Sequence, residues 1–231
     1  MALELEHVNI ALDGFELCAD LKVGTGGFIA LLGPSGAGKS TVLNAVAGFV
    51  PLASGAIRWG DARIDHLPPG DRPVATLFQD NNLFPHLNVA RNVALALTTR
   101  ARPSKDDTRR AEEALSRVGL SGMGARMPGT LSGGQQSRAA LARVLLQNKP
   151  LVMLDEPFSA LGPGQRQEML ALCREVLGGA GRTVLFVSHD PVDAAQADAI
   201  CVVIDGTMSP PRPVTDVLDA PSGPLRAYLG K

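Results

Sequence analysis

The chain has little cysteine and no excess of charge of either sign. Its 231 residues include three cysteines, and 22 lysines and arginines stand against 23 aspartates and glutamates. The cysteines, Cys18, Cys173 and Cys201, are far apart, and none lies in a CxxC spacing. A disulfide framework or a zinc site is therefore not expected, which fits a reducing cytoplasm. The near-zero net charge argues against binding nucleic acid through bulk electrostatics.

Long hydrophobic runs are also lacking. The longest apolar stretches, such as Phe28–Leu32 and Leu151–Leu154, are far shorter than the ~20 residues that cross a bilayer. The first residues, MALELEHVNI, do not join a basic segment to an apolar one, so no signal peptide is expected. The chain is 45% hydrophobic and 19% charged, which is ordinary for a globular protein that buries a sizeable core.

Short apolar runs alternate with helical patterns along the chain. Continuous apolar runs are typical of buried parallel strands. They occur at Phe28–Leu32, Val74–Phe78, Leu151–Leu154, Thr183–Val187 and Ile200–Ile204. Helical periodicity predicts helices at 41–48, 106–118 and 165–177. This alternation predicts an α/β fold with a parallel sheet.

The amino-terminal stretch departs from this alternation. Leu3 and Leu5 alternate with glutamates ahead of the turn-forming pair Asp13-Gly14. This pattern predicts an antiparallel hairpin, with Ile57 and Trp59 on a neighbouring strand.

Two other stretches also lack the strand-helix alternation. Residues 84–148 contain few strand-like runs, which indicates a helical insertion in the α/β core. Residues 207–231 contain five prolines, and we expect a loose tail with one short helix there.

A phosphate-binding loop is predicted at residues 33–40, which read GPSGAGKS and match GxxxxGK[ST]. An apolar strand precedes it and a helical pattern follows, as the motif requires. Backbone N–H groups and the helix dipole favour phosphate, Lys39 supplies a charge and Ser40 offers a hydroxyl to Mg²⁺. The alternative is a glycine-rich turn without a ligand. The predicted nucleotide-binding residues are Gly33, Pro34, Ser35, Gly36, Ala37, Gly38, Lys39, Ser40 and Thr41.

Two carboxylates, Asp155 and Glu156, directly follow the apolar run Leu151–Leu154. Acidic side chains at the end of a buried strand are costly unless they are used. In a P-loop NTPase the first acid holds Mg²⁺ and the next can polarise the attacking water. A solvated strand end is the usual interpretation of such a pair alone. With the P-loop upstream, the pair predicts Asp155 and Ser40 as metal ligands and Glu156 as the general base.

The stretch Leu131-Ser132-Gly133-Gly134-Gln135, with the P-loop before it and LVMLDEP after it, resembles the signature motif of ABC transporter ATP-binding subunits. An N-capped helix alone does not explain two glycines in a first turn, where they lower helix propensity. Their exposed N–H groups suit an anion instead. The resemblance implies that Ser132, Gly133, Gly134 and Gln135 meet the γ-phosphate bound to a second copy, in a head-to-tail homodimer that holds two ATP molecules.

Two more positions match this family. Gln79 resembles the Q-loop glutamine, which implies contacts with Mg²⁺ and the attacking water and a link to the membrane partner. His189 resembles the switch histidine that contacts the γ-phosphate. The alternatives are a solvated strand-end glutamine and a surface histidine. With Lys39 and Glu156, these two residues complete the predicted catalytic set, and Gln79 joins Ser40 and Asp155 as a predicted metal contact.

The resemblance also implies a fold and an assembly. The fold is a P-loop NTPase (RecA-like) core with an N-terminal antiparallel β subdomain and an inserted α-helical subdomain. The core takes residues 1–83 and 149–231, and the helical subdomain takes 84–148. The activity is hydrolysis of ATP with Mg²⁺, coupled to translocation through two permease subunits or halves. A periplasmic binding protein would act indirectly, nucleic acid is not an expected partner, and the chain would lie peripherally on the cytoplasmic face of the inner membrane.

The sequence departs from the family pattern at two positions. Leu12 stands near where members usually carry an aromatic residue that stacks on adenine, and Asp13 offers none; whether Phe15 reaches the base is open. Gly162 replaces a carboxylate that usually crosses the dimer interface. A degenerate module that binds ATP but scarcely hydrolyses it is therefore an alternative.

The stretches FQDNNLFPHL, ARMPG and RQEML resemble ATPases of bacterial importers that use a binding protein, and among them those of thiamine importers, so uptake of thiamine or its phosphates is the expected function. Residues 80–86 are the predicted docking surface for a permease, with Leu83 and Phe84 either in that contact or packed under the helical subdomain. Importers of iron(III), polyamine, sulfate or molybdate are alternatives. A soluble, non-transport ABC ATPase is another, although such proteins usually carry coiled-coil insertions or tandem cassettes.

Overall fold

The structure is a computed structural model that describes residues 1–12, 14–178, 181–221 and 223–230. The strands within these residues are β1 (Ala2–Leu12), β2 (Phe15–Gly24), β3 (Phe28–Leu32), β4 (Ser54–Trp59), β5 (Ala62–Arg63), β6 (Val74–Leu77), β7 (Leu151–Leu154), β8 (Thr183–Ser188), β9 (Ala199–Ile204), β10 (Thr207–Met208) and β11 (Arg212–Pro213). The α-helices are α1 (Lys39–Ala47), α2 (Val89–Ala94), α3 (Lys105–Arg117), α4 (Gly133–Gln147), α5 (Pro163–Cys173), α6 (Pro191–Ala194), α7 (Val214–Leu218) and α8 (Pro224–Tyr228).

Five parallel strands form the centre of the sheet, in the order β9-β3-β8-β7-β6. Every residue of β3, β7 and β8 is buried. Strands covered on both faces need apolar side chains on both faces, which is why these runs are continuous rather than alternating. The predicted parallel α/β sheet is confirmed.

An antiparallel part extends the same sheet beyond β9. Strands β1 and β2 form a hairpin, and β4 pairs with the other edge of β1, with Leu3 opposite Trp59 and Leu5 opposite Ile57. The predicted hairpin and its neighbouring strand are confirmed. The predicted turn residue Asp13 lies outside the described residues.

Residues 84–148, all of them described, contain α2, α3 and α4 and no strand. These helices pack on one another, and their apolar side chains join those of α5 on one face of the parallel sheet. Helix α1 and the antiparallel strands share the second hydrophobic cluster. The division into a core and a helical subdomain at 84–148 stays a proposal. Among the described residues, no helix has the length and apolar character needed to cross a membrane.

The prediction of a loose tail after residue 207 is wrong. Two short strands and two short helices occur there, and Met208, Val217 and Leu225 are buried. The prolines lie within or beside these short elements, with Pro213 in β11 and Pro224 at the start of α8, and the apolar side chains between them pack on the core. The predicted helix 165–177 begins at Pro163 and continues past Cys173 as a π-helical turn, Arg174–Gly178.

Candidate active site

Four of the five central parallel strands lead into segments in which the sequence predicted site residues. The P-loop begins directly after β3, Asp155 directly after β7 and His189 directly after β8, while Gln79 follows β6 by two residues. Because the carboxyl ends of parallel strands lie at one edge of a sheet, the topology brings these segments together.

The P-loop curls around the side chain of Lys39. This lysine is buried, and its Nζ donates to the carbonyl oxygens of Gly33 at 2.8 Å and Pro34 at 2.7 Å. Gly38 precedes α1 with a φ of 95°, and a Cβ there would lie 2.6 Å from the ring of Phe15. Only glycine fits this turn, which leaves the first N–H groups of α1 without a side-chain cap and free for an anion.

The side chains of Ser40 and Asp155 meet at the foot of the P-loop. The Ser40 hydroxyl donates to Oδ1 of Asp155 at 2.6 Å, and the Asp155 N–H donates to the carbonyl oxygen of Leu77. A hydroxyl and a carboxylate are hard oxygen ligands, and Mg²⁺ usually takes one or two carboxylates together with substrate phosphates. The described residues hold no cluster of three or more metal-binding side chains. This pair therefore suits a magnesium ion that nucleotide phosphates help to bind.

Burial perturbs both charged groups at this point. It raises the pKa of Asp155, against the hydrogen bond from Ser40, and the nearby Glu156 raises that pKa further. It lowers the pKa of Lys39, whereas Glu156 and Asp155 act in the opposite direction. Opposite charges that are partly desolvated and lie close together are common at functional sites.

Glu156 has a φ of 43°, in the left-handed region that few residues other than glycine adopt. Such backbone strain persists only where the surrounding structure fixes the residue, and it is found most often at functional sites. Its Oε2 lies 3.6 Å from Nδ1 of His189, and the side chains of both residues keep some solvent access. The structure thus brings the predicted base and the predicted switch histidine together.

Gln79 is exposed in a turn after β6. Leu77, two residues earlier, pairs with Leu154, the residue before Asp155. Register therefore brings the end of β6 alongside Asp155, whereas Gln79 itself does not line the P-loop cavity.

A cavity of roughly 450 Å³ lies over the P-loop. It is lined by the P-loop, Thr41 and Glu156, and also by Leu12 and Phe15. The sequence left the reach of Phe15 open, and the structure places its aromatic ring at the cavity wall. A volume of this size is within the range of small-molecule sites.

The predicted signature residues lie apart from this cavity. They open helix α4 with a reciprocal capping box: the Gln135 N–H donates to Oγ of Ser132 and the Ser132 N–H donates to Oε1 of Gln135. None of Ser132, Gly133, Gly134 and Gln135 lines the P-loop cavity of the same chain.

The predicted docking segment separates into a buried and an exposed residue. Leu83 packs against the core, whereas the Phe84 side chain is exposed. The buried Asn92 holds this loop, because its side chain accepts from the Phe84 N–H and donates to the carbonyl oxygens of Phe84 and Leu87. Of the two predicted contacts, Phe84 remains available to a partner.

A connection from α4 to this loop was not predicted. Arg143 donates to the carbonyl oxygens of Asn81 at 2.8 Å and Asn82 at 2.7 Å, both in the left-handed region. Sequence reasoning also missed Arg166 and Tyr228, which hold the segment around His189. The only sequence signal for such contacts is residue type, since each joins positions far apart in the chain.

Comparison with known proteins gives consistent results. The ABC transporter family matches residues 18–159. The chain is 48% identical to the thiamine import ATP-binding protein ThiQ of Ruegeria sp. (strain TM1040), over 99% of each chain. It is equally identical, over the same shares, to ThiQ of Cereibacter sphaeroides, and 44% identical to ThiQ of Brucella suis, over 99% of this chain and 96% of that protein.

Solved structures of MJ0796, described as a bacterial ABC transporter cassette, share the fold. A dimeric form aligns with a TM-score of 0.77 at 27% identity, over 92% of this chain and 98% of that chain. A dimeric post-hydrolysis form bound to ADP and Pi aligns over the same shares with a TM-score of 0.76. The predicted fold class is confirmed, and the chain belongs to the ABC transporter family.

Proposed function

We propose that this chain is the ATP-hydrolysing subunit of a bacterial importer for thiamine. The observation that carries the proposal is the convergence of the P-loop, Asp155, Glu156 and His189 at one sheet edge. The choice of thiamine is supported by relatives of that name at 48% identity over nearly the whole chain.

The proposed reaction is attack of water on the γ-phosphate of ATP. Lys39 and the N–H groups of the P-loop bind the phosphates. Ser40 and Asp155, with Gln79, would hold Mg²⁺, which would supply positive charge against the negative charge that develops on the phosphate oxygens. Glu156 takes the proton of the attacking water, and His189 fixes the γ-phosphate. Phosphoryl transfer depends mainly on positioning and electrostatic stabilisation, which this arrangement supplies.

The assembly we propose contains two copies arranged head to tail, so that Ser132 to Gln135 of one copy reach the phosphates bound by the other. The self-capped signature helix, remote from the P-loop cavity of its own chain, supports this arrangement. Residues 84–148 would move as a helical subdomain. Two permease subunits would contact Phe84 and its loop at the cytoplasmic face of the inner membrane, and a periplasmic binding protein would deliver the substrate.

Replacing Glu156 by Gln tests the chemistry. The variant should bind ATP with near wild-type affinity, lose roughly 10²–10⁴-fold in turnover because the base is gone, and remain as an ATP-bound dimer in size-exclusion chromatography. Hydrolysis at the wild-type rate would remove Glu156 from this role. A wild-type chain without steady-state ATPase activity would favour the alternative of a degenerate module, which Leu12 and Gly162 indicate.

The substrate requires a separate experiment. The chain is purified from native membranes with its permease and reconstituted in liposomes with the associated binding protein. Thiamine should stimulate ATP hydrolysis several-fold, while iron(III), polyamine, sulfate and molybdate should not. Stimulation by one of the other substrates would reassign the importer, and recovery with ribosomes or DNA in place of a permease would contradict transport.

A further inference from the structure

The segment around His189 is anchored on both sides, although its imidazole is half exposed. The Ser188 hydroxyl donates to Oδ2 of Asp193 at 2.9 Å, and the Asp190 N–H donates to Oγ of Ser188 at 3.0 Å. The Tyr228 hydroxyl, from the last described helix, donates to the carbonyl oxygen of His189 at 2.7 Å. The backbone of His189 is therefore held while its side chain faces the site.

One guanidinium joins this segment to helix α5. Nη2 of Arg166 donates to Oδ2 of Asp190 at 2.7 Å, and its Nε forms an ion pair without hydrogen-bond geometry with Oδ2 of Asp193, at 3.1 Å. The Arg166 side chain is 15% exposed and that of Asp193 only 5%. The planar fork of arginine suits two carboxylates at fixed positions, which a lysine ammonium cannot match as well.

The position of Arg166 also relates it to Glu156. Arg166, Asp193, Glu156 and His189 line the same small cavity. Arg166 does not line the P-loop cavity, and its described ion pairs are with Asp190 and Asp193. Replacing Arg166 is therefore expected to alter the positions of Glu156 and His189 relative to one another and to leave the phosphate-binding loop unchanged.

We propose that Arg166 is a positioning residue for ATP hydrolysis, which by holding Asp190 and Asp193 fixes the His189 segment relative to Glu156. The proposal rests on the proposed function. Neither Arg166 nor its partners touch the nucleotide in this scheme, so the expected defect lies in turnover and leaves ATP binding intact. A buried pair that loses one partner leaves an uncompensated charge, which favours rearrangement of the segment.

The test compares Arg166→Gln with Arg166→Lys in steady-state hydrolysis and equilibrium ATP binding. Arg166→Gln should lower kcat roughly 10- to 100-fold and change KM and the ATP dissociation constant by less than about 2-fold. Arg166→Lys keeps the charge without the fork and should recover part of the lost kcat. A uniform loss of stability does not predict this split between kcat and KM.

The matched control is Arg174→Gln. Arg174 directly follows α5 and pairs with the exposed carboxylate of Asp198, which directly precedes β9 and so lies at the sheet edge opposite to the one that carries the site. The Arg174→Gln variant should leave kcat unchanged. If Arg166→Gln kept wild-type kcat, or lost no more than Arg174→Gln, the proposal would be overturned.

A second variant guards against misfolding of Arg166→Gln. Asp190→Asn keeps the buried contact between Arg166 and Asp193 and an amide oxygen that can still accept from the Val192 N–H, and it weakens the outer ion pair with Arg166. It should fold and lower kcat several-fold without altering KM, and an unchanged kcat would contradict the proposal. Glu156→Gln distinguishes failure of the proposed function from failure of the positioning role. If Glu156→Gln is inactive while the Arg166 variants hydrolyse ATP normally, only the positioning role of Arg166 is contradicted.

Discussion

Helices α1 and α4 both begin beside glycines, yet the first N–H groups of α1 have no side-chain cap, whereas those of α4 do. Helix α1 has no side-chain cap, and its first residue, Lys39, folds back onto the P-loop carbonyls. Helix α4 caps itself through Ser132 and Gln135 and carries no acidic residue in its first turn. The first terminus is charged, buried and prepared for an anion. The second is neutral and already satisfied, so a phosphate group that approached it would compete with the capping box of α4.

The two termini are therefore expected to contribute unequally to nucleotide binding. A terminus with free N–H groups and a buried cation gains the full interaction with phosphate. A self-capped terminus gains only the difference between phosphate and its cap. We therefore expect the P-loop to determine ATP affinity, and the signature helix to determine whether two loaded copies close.

The largest effect is expected from Lys39→Ala. Removing a buried cation from the phosphates costs about 2–5 kcal/mol, so ATP affinity should fall at least about 30-fold. Equilibrium binding of ATP to the isolated chain measures this. Lys149→Ala is the control, because Lys149 also donates to a backbone carbonyl, that of Arg72, but far from the P-loop cavity. Retained affinity in Lys39→Ala would mean that the charged terminus is not the phosphate site.

The next effect is expected at the other helix. Ser132→Ala removes the cap of α4 and a group that would face phosphate across the dimer. ATP hydrolysis should fall roughly 10-fold, while ATP affinity of the isolated chain should stay within about 2-fold; a cap alone contributes about 0.5–2 kcal/mol.

Helix α3 provides the matched control for this variant. Ser104 and Asp107 form the same kind of capping box, with no ligand expected there. Ser104→Ala should cost similar stability, read as a shift in Tm, and leave hydrolysis unchanged. Equal losses of hydrolysis in both variants would show that Ser132 acts only as a helix cap.

A smaller effect sharpens the description of the P-loop end. Phe15 lines the cavity and contacts the P-loop at Gly38. Loss of an aromatic contact is typically about 0.5–1.5 kcal/mol, so Phe15→Ala should raise the KM for ATP roughly 2- to 10-fold. Phe49→Ala, at an exposed ring outside the cavity, should not raise it. An unaltered KM in Phe15→Ala would indicate that the adenine of ATP contacts another part of the cavity lining.

The smallest effect concerns pH, to which only the charged terminus should respond. Burial raises the pKa of Asp155, so its charged form is less stable in the folded chain than in the unfolded one. The folded chain then binds more protons than the unfolded chain, and stability falls as pH rises through the carboxyl range. Without nucleotide, Asp155→Asn should raise Tm at neutral pH by at most about 2–4 °C.

Thermal unfolding at several pH values measures this gain. It should shrink as pH is lowered towards 4, where the wild-type carboxyl also becomes neutral. The Tm shift of Ser132→Ala should not depend on pH in the same range. A gain for Asp155→Asn that persisted in acid would have a cause other than the carboxylate.

The sequence predicted those features that depend on local pattern. Phe28–Leu32 and Leu151–Leu154 are strands with the predicted bounds, because a fully buried strand must be apolar throughout. The P-loop and the acidic pair were found because their chemistry requires fixed residue types at fixed spacing. Their catalytic roles remain proposals.

Features that depend on tertiary contact were not predictable in the same way. The prolines of the carboxyl-terminal stretch indicated a loose tail, but whether Val217 and Leu225 are buried depends on the surface they meet. Likewise, nothing near Arg166 in the sequence indicates Asp190 as its partner, since α5 and β8 must both be in place first.

The contact from Arg143 to the carbonyls of Asn81 and Asn82 has a thermodynamic consequence. Two hydrogen bonds join the backbone beyond Gln79 to the helix that begins at the signature motif, so a displacement of one is expected to move the other. If a permease bound at Phe84 favoured one orientation of α4, and nucleotide favoured the same orientation, each ligand would increase the affinity of the chain for the other by the same factor. A permease that tightens ATP binding tenfold must therefore itself be held ten times more tightly by the ATP-loaded chain.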